Sequence, residues 1–280
     1  MAYWRDQPET SALACRLKTR APLAHALADL YDSGHKSASN ISAMYEALDW
    51  SDDNCPRSPR FNDVYRSRSG GLQQAQTVFL NGCHLPQQWQ NRRQFSILET
   101  GFGLGLNFLL TWSAWAADAQ RCDTLHFVSI EAYPVAPEDI VRSVQSCLAS
   151  AKDTAAAHLL QQAEQLAQQW QHLHAGIQTF ALAAGRVQLT LAVGEVQPML
   201  AQLDCVADAV YLDGFNPRLN PQMWSPATIA AVRLRCRPGT VLATYSAAAN
   251  VRNALKNAGF SVRRRPGLPP KWHRLEACLE

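Results

Sequence analysis

Apolar positions along this chain alternate between a strand rhythm and a helix rhythm, and the alternation becomes regular only from residue 95. Phe95-Ser-Ile-Leu-Glu99 is a short apolar run of the kind that forms a buried strand. After a glycine-rich turn, residues 107–117 read as a buried helix. His126-Phe-Val-Ser-Ile130 predicts a second strand and residues 137–150 a second helix. Further strands are predicted over 187–193, 208–212, 240–245 and 274–279, and helices over 221–235 and 247–258. Strands separated by helices imply an α/β fold, a mostly parallel sheet covered on both faces.

The chain before this region has another character. Residues 1–48 form an appendage with short helices predicted over 21–31 and 41–48, separated by the polar stretch 32–40. No catalytic pattern lies there. Residues 50–60, rich in Asp, Asn, Pro and Ser, read as a loop. Residues 76–80 read as a strand followed by a turn at Asn81-Gly82, which makes 49–94 a lead-in segment with a hairpin. Residues 95–280 then form the main domain. Within it Leu159, Ala163, Leu166, Trp170 and Leu173 recur at helical spacing as an insertion, with Gly176 as its stop.

Composition narrows the picture. With 280 residues, 47% apolar and 18% charged, the chain can bury one sizeable core. No apolar run reaches the roughly 18–20 residues of a membrane helix, and the N-terminus has neither signal nor transit character. A cytoplasmic protein without membrane contact is expected. The eight cysteines are scattered with no Cys-x-x-Cys pair, so neither a disulfide framework nor a zinc site is predicted. His158, His172 and His174 lack acidic neighbours at ligand spacing and read as surface residues, so no metal is expected. The net charge of +3 is small, but from Ala231 onward ten basic residues, among them Arg263-Arg-Arg265, face only Glu276 and Glu280. That end is either a face for a phosphate backbone or ordinary solvated surface.

The strongest chemical signal is Glu99-Thr-Gly101-Phe102-Gly103-Leu-Gly105-Leu-Asn107 at a strand-to-helix turn. Glycines there let the backbone approach a ligand, and the end of the first strand is where such sheets bind nucleotides. The dinucleotide fingerprint requires a third glycine where Leu106 stands. Gly-x-Gly-x-Gly preceded by an acid is instead the form of S-adenosylmethionine sites. Glu131 with Ala132, directly after the second strand, is placed to accept both ribose hydroxyls. Gly194-Glu195 follows the third strand, either as an adenine contact or as a plain strand-end turn. Tyr211-Leu-Asp213 ends a fourth strand and leads into Gly-Phe215-Asn216-Pro-Arg218, a rigid loop of the kind that carries catalytic groups.

These motifs carry a resemblance. Phe61-Asn-Asp-Val-Tyr65, Gly71-Leu72, Val78-Phe-Leu-Asn-Gly82, Gly101-Phe-Gly103-x-Gly-Leu-Asn-Phe108, Asp213-Gly-Phe215, Asn220-Pro-x-Met-Trp224 and Ala258-Gly-Phe260 are together specific. From about Trp50 onward the chain resembles the methyltransferase half of the bifunctional tRNA 5-methylaminomethyl-2-thiouridine biosynthesis family (MnmC). No flavin-binding oxidoreductase domain follows in the sequence, as in the stand-alone form. The resemblance implies a Rossmann-like class I methyltransferase fold, a mostly parallel seven-stranded sheet with an N-terminal lead-in hairpin. It also implies S-adenosyl-L-methionine as cofactor and tRNA as partner, the acceptor being an aminomethyl group on the wobble uridine. On it, Glu99, Gly101, Phe102, Gly103, Gly105, Asn107, Glu131, Ala132, Gly194, Glu195 and Asp213 hold the cofactor, and Asp213 is catalytic. Tyr65, Phe215, Asn216, Arg218 and Lys271 would meet the substrate. The chain departs from the family's usual residues at Arg66, Gln74, Leu104, Glu195, Asn216 and Arg218. Other readings are a methyltransferase of the same fold acting on another amine, a partner that keeps the fold without catalysis, and a nicotinamide dehydrogenase, against which the glycine spacing counts.

Overall fold

A computed structural model describes residues 45–50, 55–67, 70–149, 154–170, 172–269 and 271–280. The helix predicted over 21–31 and the first half of the one predicted over 41–48 lie outside these residues, and the described half, 45–48, is not helical. The lead-in opens with three short strands, β1 (Asp49–Trp50), β2 (Pro56–Ser58) and β3 (Asp63–Val64), paired antiparallel in that order. The hairpin thus forms inside the stretch that reads as loop. Residues 76–80 are not a strand: α1 (Gly71–Gln74) runs on as a π-helical turn over Ala75–Leu80, and Asn81–Cys83 is a 3₁₀ turn. Val78-Phe-Leu is β-prone in isolation. Burial of Ala75 together with Val78, Phe79 and Leu80 is a helical face, however, and Phe79 packs 5.2 Å from Tyr211.

The main domain follows the predicted alternation. Its elements are β4 (Gln94–Glu99), α2 (Leu106–Ala117), β5 (Thr124–Glu131), α3 (Pro137–Leu148), α4 (Thr154–Trp170), β6 (Gly176–Leu182) and β7 (Val187–Val193). After them come α5 (Val196–Gln202), β8 (Ala207–Tyr211), a 3₁₀ turn Pro221–Trp224, α6 (Pro226–Arg233), β9 (Cys236–Thr244), α7 (Ala249–Asn257), β10 (Phe260–Leu268) and β11 (Lys271–Leu279). They build one eight-stranded sheet in the order β10-β11-β9-β8-β4-β5-β7-β6. The five central strands are parallel, and β6, β11 and β10 join antiparallel at the edges.

The sheet has eight strands where the resemblance implies seven and the apolar pattern predicts six; β6 and β10 escape that pattern because they lack a continuous apolar run. Both are edge strands with many exposed positions, and β10 carries the arginine cluster. The segment 159–173 is no peripheral insertion. As α4 it buries Leu159, Ala163, Leu166 and Trp170, and packs on α2 and α3. Trp170 stacks on Phe102 at 5.3 Å and donates its indole N–H to the Val135 carbonyl at 2.9 Å. Phe108, Phe127 and Tyr211 fill the centre, each such side chain contributing roughly 1.5–3 kcal/mol on burial. The strand order reverses at β4, whose neighbours are β5 and β8, so a crevice opens at their carboxyl ends. Among the described residues no helix is long and apolar enough to cross a membrane.

Candidate active site

The glycine turn leaves β4 pinned to the end of β8. Thr100 N–H donates to the Tyr211 carbonyl at 3.2 Å, and the Thr100 hydroxyl donates to the Asp213 carbonyl at 2.7 Å. This clasp brings two backbones so close that a Cβ on Gly101 would lie 3.3 Å from the Asp213 carbonyl oxygen and from Gly214 Cα. Gly103 sits at φ +53, and a Cβ there would lie 3.2 Å from the Tyr65 ring. Glycine at these two positions therefore lets bare backbone line the cavity where a Cβ would crowd its neighbours. The Gly103 N–H donates at 2.8 Å to Glu131 Oε2, while Tyr133 N–H holds Oε1 at 2.9 Å.

In the first turn of α2, Asn107 bridges two acids. Its Nδ2 donates to Glu99 Oε1 at 2.9 Å and to Asp213 Oδ2 at 2.8 Å. Ser129 Oγ holds the other Glu99 oxygen at 2.7 Å, and Gly214 N–H holds Asp213 Oδ1 at 2.8 Å. Each Asp213 oxygen keeps a free lone-pair direction. The lead-in sheet supplies an aromatic roof. Phe61 stacks on Phe215 at 4.7 Å, Tyr65 meets the same ring edge-on at 4.9 Å, and the Tyr65 hydroxyl donates to Glu46. On the far wall Lys271 Nζ lies 3.4 Å above the Tyr245 ring, whose hydroxyl donates to the Gly214 carbonyl. These groups enclose a cavity of about 540 Å³.

Electrostatics follow from partial burial. Desolvation pushes the Glu131 carboxyl up to about 7, against the pull of the Tyr133 and Gly103 N–H groups. Asp213 is raised by the same cause, opposed by Gly214 N–H, Asn107 and the Lys271 charge. Glu99, fully buried, is pushed well above the usual carboxylate range by desolvation and then by the Asp213 charge. Lys271 is lowered by burial, with Asp213 and Asp63 pulling the other way.

Most residues singled out in the sequence converge here. Gly101, Phe102, Gly103, Asn107, Glu131, Ala132, Gly194, Glu195 and Asp213 all line the cavity, as do Tyr65, Phe215, Asn216 and Lys271. Three do not. Glu99 lies beneath the turn and meets only Asn107 and Ser129 through its hydrogen bonds, so its reach to the cavity runs through Asn107. Gly105 is the left-handed residue that opens α2, turned toward the Phe102 ring. Arg218 is exposed, with its backbone N–H on the Asn216 side chain, and stands off the wall. Four groups went unpredicted: Asp63, which accepts from Asn216 N–H; Tyr133, which donates to Glu195 at 3.1 Å; Tyr245; and Glu46. Tyr133 and Tyr245 follow strand ends at the same edge as Glu131 and Asp213, a positional signal that was available. Glu46 offered none. Among the described residues no cluster of His, Cys, Asp and Glu could hold a metal ion, and His158, His172 and His174 are exposed.

Residues 157–280 match a family described as S-adenosyl-L-methionine-dependent methyltransferase. Over 236 residues the chain is 49% identical to the tRNA 5-methylaminomethyl-2-thiouridine biosynthesis bifunctional protein MnmC of Acidovorax sp. (strain JS42), covering 84% of this chain and 35% of that protein. The MnmC of Cupriavidus necator is 50% identical over 224 residues, covering 80% of this chain and 33% of its own. The chain thus spans about a third of the length of these curated relatives. Among solved structures, MNMC2 from Aquifex aeolicus shares the fold with a TM-score of 0.63 at 16% identity, over 92% of this chain and 82% of that one.

Proposed function

We propose that this chain is an S-adenosyl-L-methionine-dependent methyltransferase that N-methylates an aminomethyl group on the wobble uridine of tRNA. The reaction converts 5-aminomethyl to 5-methylaminomethyl in the cytoplasm. The observation that carries this reading is one cavity onto which both a glycine turn with Glu131 and an aromatic-roofed carboxylate, Asp213, open. A volume of about 540 Å³ lies in the range of small-molecule sites, and the bare backbone of Gly101 and Gly103 on its wall suits close approach of a nucleoside cofactor. In this assignment residues 95–280 are the methyltransferase domain, 49–94 its lead-in and 1–48 an appendage.

Each residue has a physical task. Glu131 takes the ribose hydroxyls, because an ionised carboxylate has lone pairs beyond those given to Gly103 and Tyr133. Gly194 and Glu195 border the adenine, with Tyr133 steadying Glu195. Gly101, Phe102, Gly103, Ala132 and Asn107 shape the remaining wall. The bound cofactor supplies an electrophilic methyl group on sulfonium. An alkylammonium has no lone pair, so the acceptor must shed a proton before it can use that methyl. Asp213 binds the cation, orients it and takes the proton on its free lone pairs. Asn107 and Gly214 N–H favour the charged form of Asp213, against the desolvation that raises its carboxyl. Tyr65 and Phe215, packed edge-on against each other, form an aromatic wall for the base and exclude water, while Asn216 and Lys271 border its polar edge.

The test uses the purified protein, labelled cofactor and total tRNA from a strain lacking wobble-uridine methylation. Label recovered in the 5-methylaminomethyl nucleoside is the expected result. Label in another nucleoside, in protein or in small amines would reassign the acceptor.

A further inference from the structure

The β10–β11 hairpin forms one rim of the cavity and carries a group that the proposed chemistry does not use. Pro266 pairs with His273 and Leu268 with Lys271, so Gly267 lies across from Trp272. The approach there is tight: a Cβ on Gly267 would come within 2.2 Å of the Lys271 carbonyl oxygen and 2.9 Å of His273 N. The strand position opposite the indole therefore offers no side chain to cover it, and Trp272 is 72% exposed. Strand alternation sends its neighbours the other way. Lys271 and His273 line the cavity, and Trp272 stands outside it.

Charge around the ring is unevenly committed. Arg265 and Arg274 both bond Glu276, at 2.9 and 2.6 Å, so one carboxylate engages two of the basic groups within the sheet. Arg263 and Arg264 are exposed, and Arg264 reaches His273 Nδ1 at 3.1 Å. An exposed indole on a hairpin whose Arg263 and Arg264 hold no carboxylate among the described residues suits a partner that combines flat aromatic faces with negative charge. Unpaired nucleotides have both.

The geometry points to Trp272 as a stacking platform for the unpaired nucleobase next to the one being methylated, with Arg263 and Arg264 taking the adjoining phosphates. This rests on the RNA acceptor proposed above and adds how the RNA is held. Because Lys271 enters the cavity while the next residue leaves it, a base seated against the inner wall has its chain neighbour at the indole. Stacking is sequence-tolerant, since every base has a π face, so this rim grips the loop without reading it.

The test binds the full chain to an anticodon stem-loop RNA bearing 5-aminomethyluridine at the wobble position and 2-aminopurine beside it. Wild-type protein should quench the 2-aminopurine on binding. Trp272→Ala should lose the quench and weaken RNA affinity about tenfold or more, while Trp272→Phe restores much of both. Unchanged cofactor affinity and thermal midpoint would show that each variant is folded. If wild-type protein binds and methylates the RNA and Trp272→Ala binds it equally well, stacking is refuted and the acceptor stands. If wild-type protein neither binds nor methylates the RNA, the acceptor reading fails and takes this inference with it. A self-association of wild-type protein lost in Trp272→Ala, with RNA affinity unchanged, would assign the ring to a protein contact instead.

Discussion

Replacing Asn107 with Ala removes the one donor shared by Glu99 and Asp213, at 2.9 and 2.8 Å, and leaves the cavity wall otherwise intact. A hydrogen bond to a charged group contributes about 1.5–3 kcal/mol, and one pH unit corresponds to about 1.36 kcal/mol. Without that bond the Asp213 carboxyl, already raised by desolvation, rises further by about one to two pH units. The sign is fixed by its task. Asp213 must be ionised to hold an ammonium and accept its proton, so activity fails as pH falls through its titration. The acid limb of kcat/KM should therefore move to higher pH by about one to two units in Asn107→Ala, measured on one acceptor so that the amine's own titration cancels. Glu99 keeps only the Ser129 hydroxyl, and the variant should also lose about 1–3 kcal/mol of stability, read as a lower thermal midpoint. As a control, Asp213→Asn should hold cofactor within a few-fold and lose most turnover at every pH. An acid limb that stays in place in Asn107→Ala would refute the carboxylate pairing as the control of Asp213.

Other outcomes follow from the same geometry. Glu131, pushed up to about 7, must lose its proton to accept two hydroxyls, so cofactor affinity by calorimetry should weaken below about pH 7. Glu131→Gln should bind weakly without that pH dependence. Linkage has the opposite sense for stability: an acid raised from 4.5 to about 7 stabilises the fold at low pH, and that contribution fades between those values as pH rises, which the same variant should flatten in urea unfolding. Gly103→Val places a β-branched side chain at φ +53 and against the Tyr65 ring, and should abolish cofactor binding. Neutralising Arg263 and Arg264 should weaken RNA binding and lower its salt slope by about two, whereas Arg265→Gln, already paired with Glu276, should change the slope far less.

The central α/β alternation, the glycine turn, and the acids Glu131 and Asp213 were all legible in the chain. Each belongs to a strand or its immediate exit, where burial on both faces forces an apolar run and the next residues must sit at the sheet's open edge. What local pattern could not decide was where side chains with little periodic signal would go. Residues 76–80 carry β-prone side chains, yet a helical face is what the core accepts beside Tyr211. Edge strands β6 and β10 bury only a few apolar side chains, Phe180, Leu182 and Phe260, and are held largely by backbone pairing, so they went unseen. Glu99 looked like a cofactor ligand because it precedes the glycines, but packing turned it under the turn, onto Asn107. Arg218 stood in a promising loop that folds it outward. The sequence by itself determined the scaffold and the kind of chemistry at its edge, because hydrophobic period and glycine geometry are local properties. Only the tertiary structure decided which polar groups share the cavity, since Asp63, Asn107, Asp213 and Tyr245 are brought together by long-range packing that no short stretch of chain records.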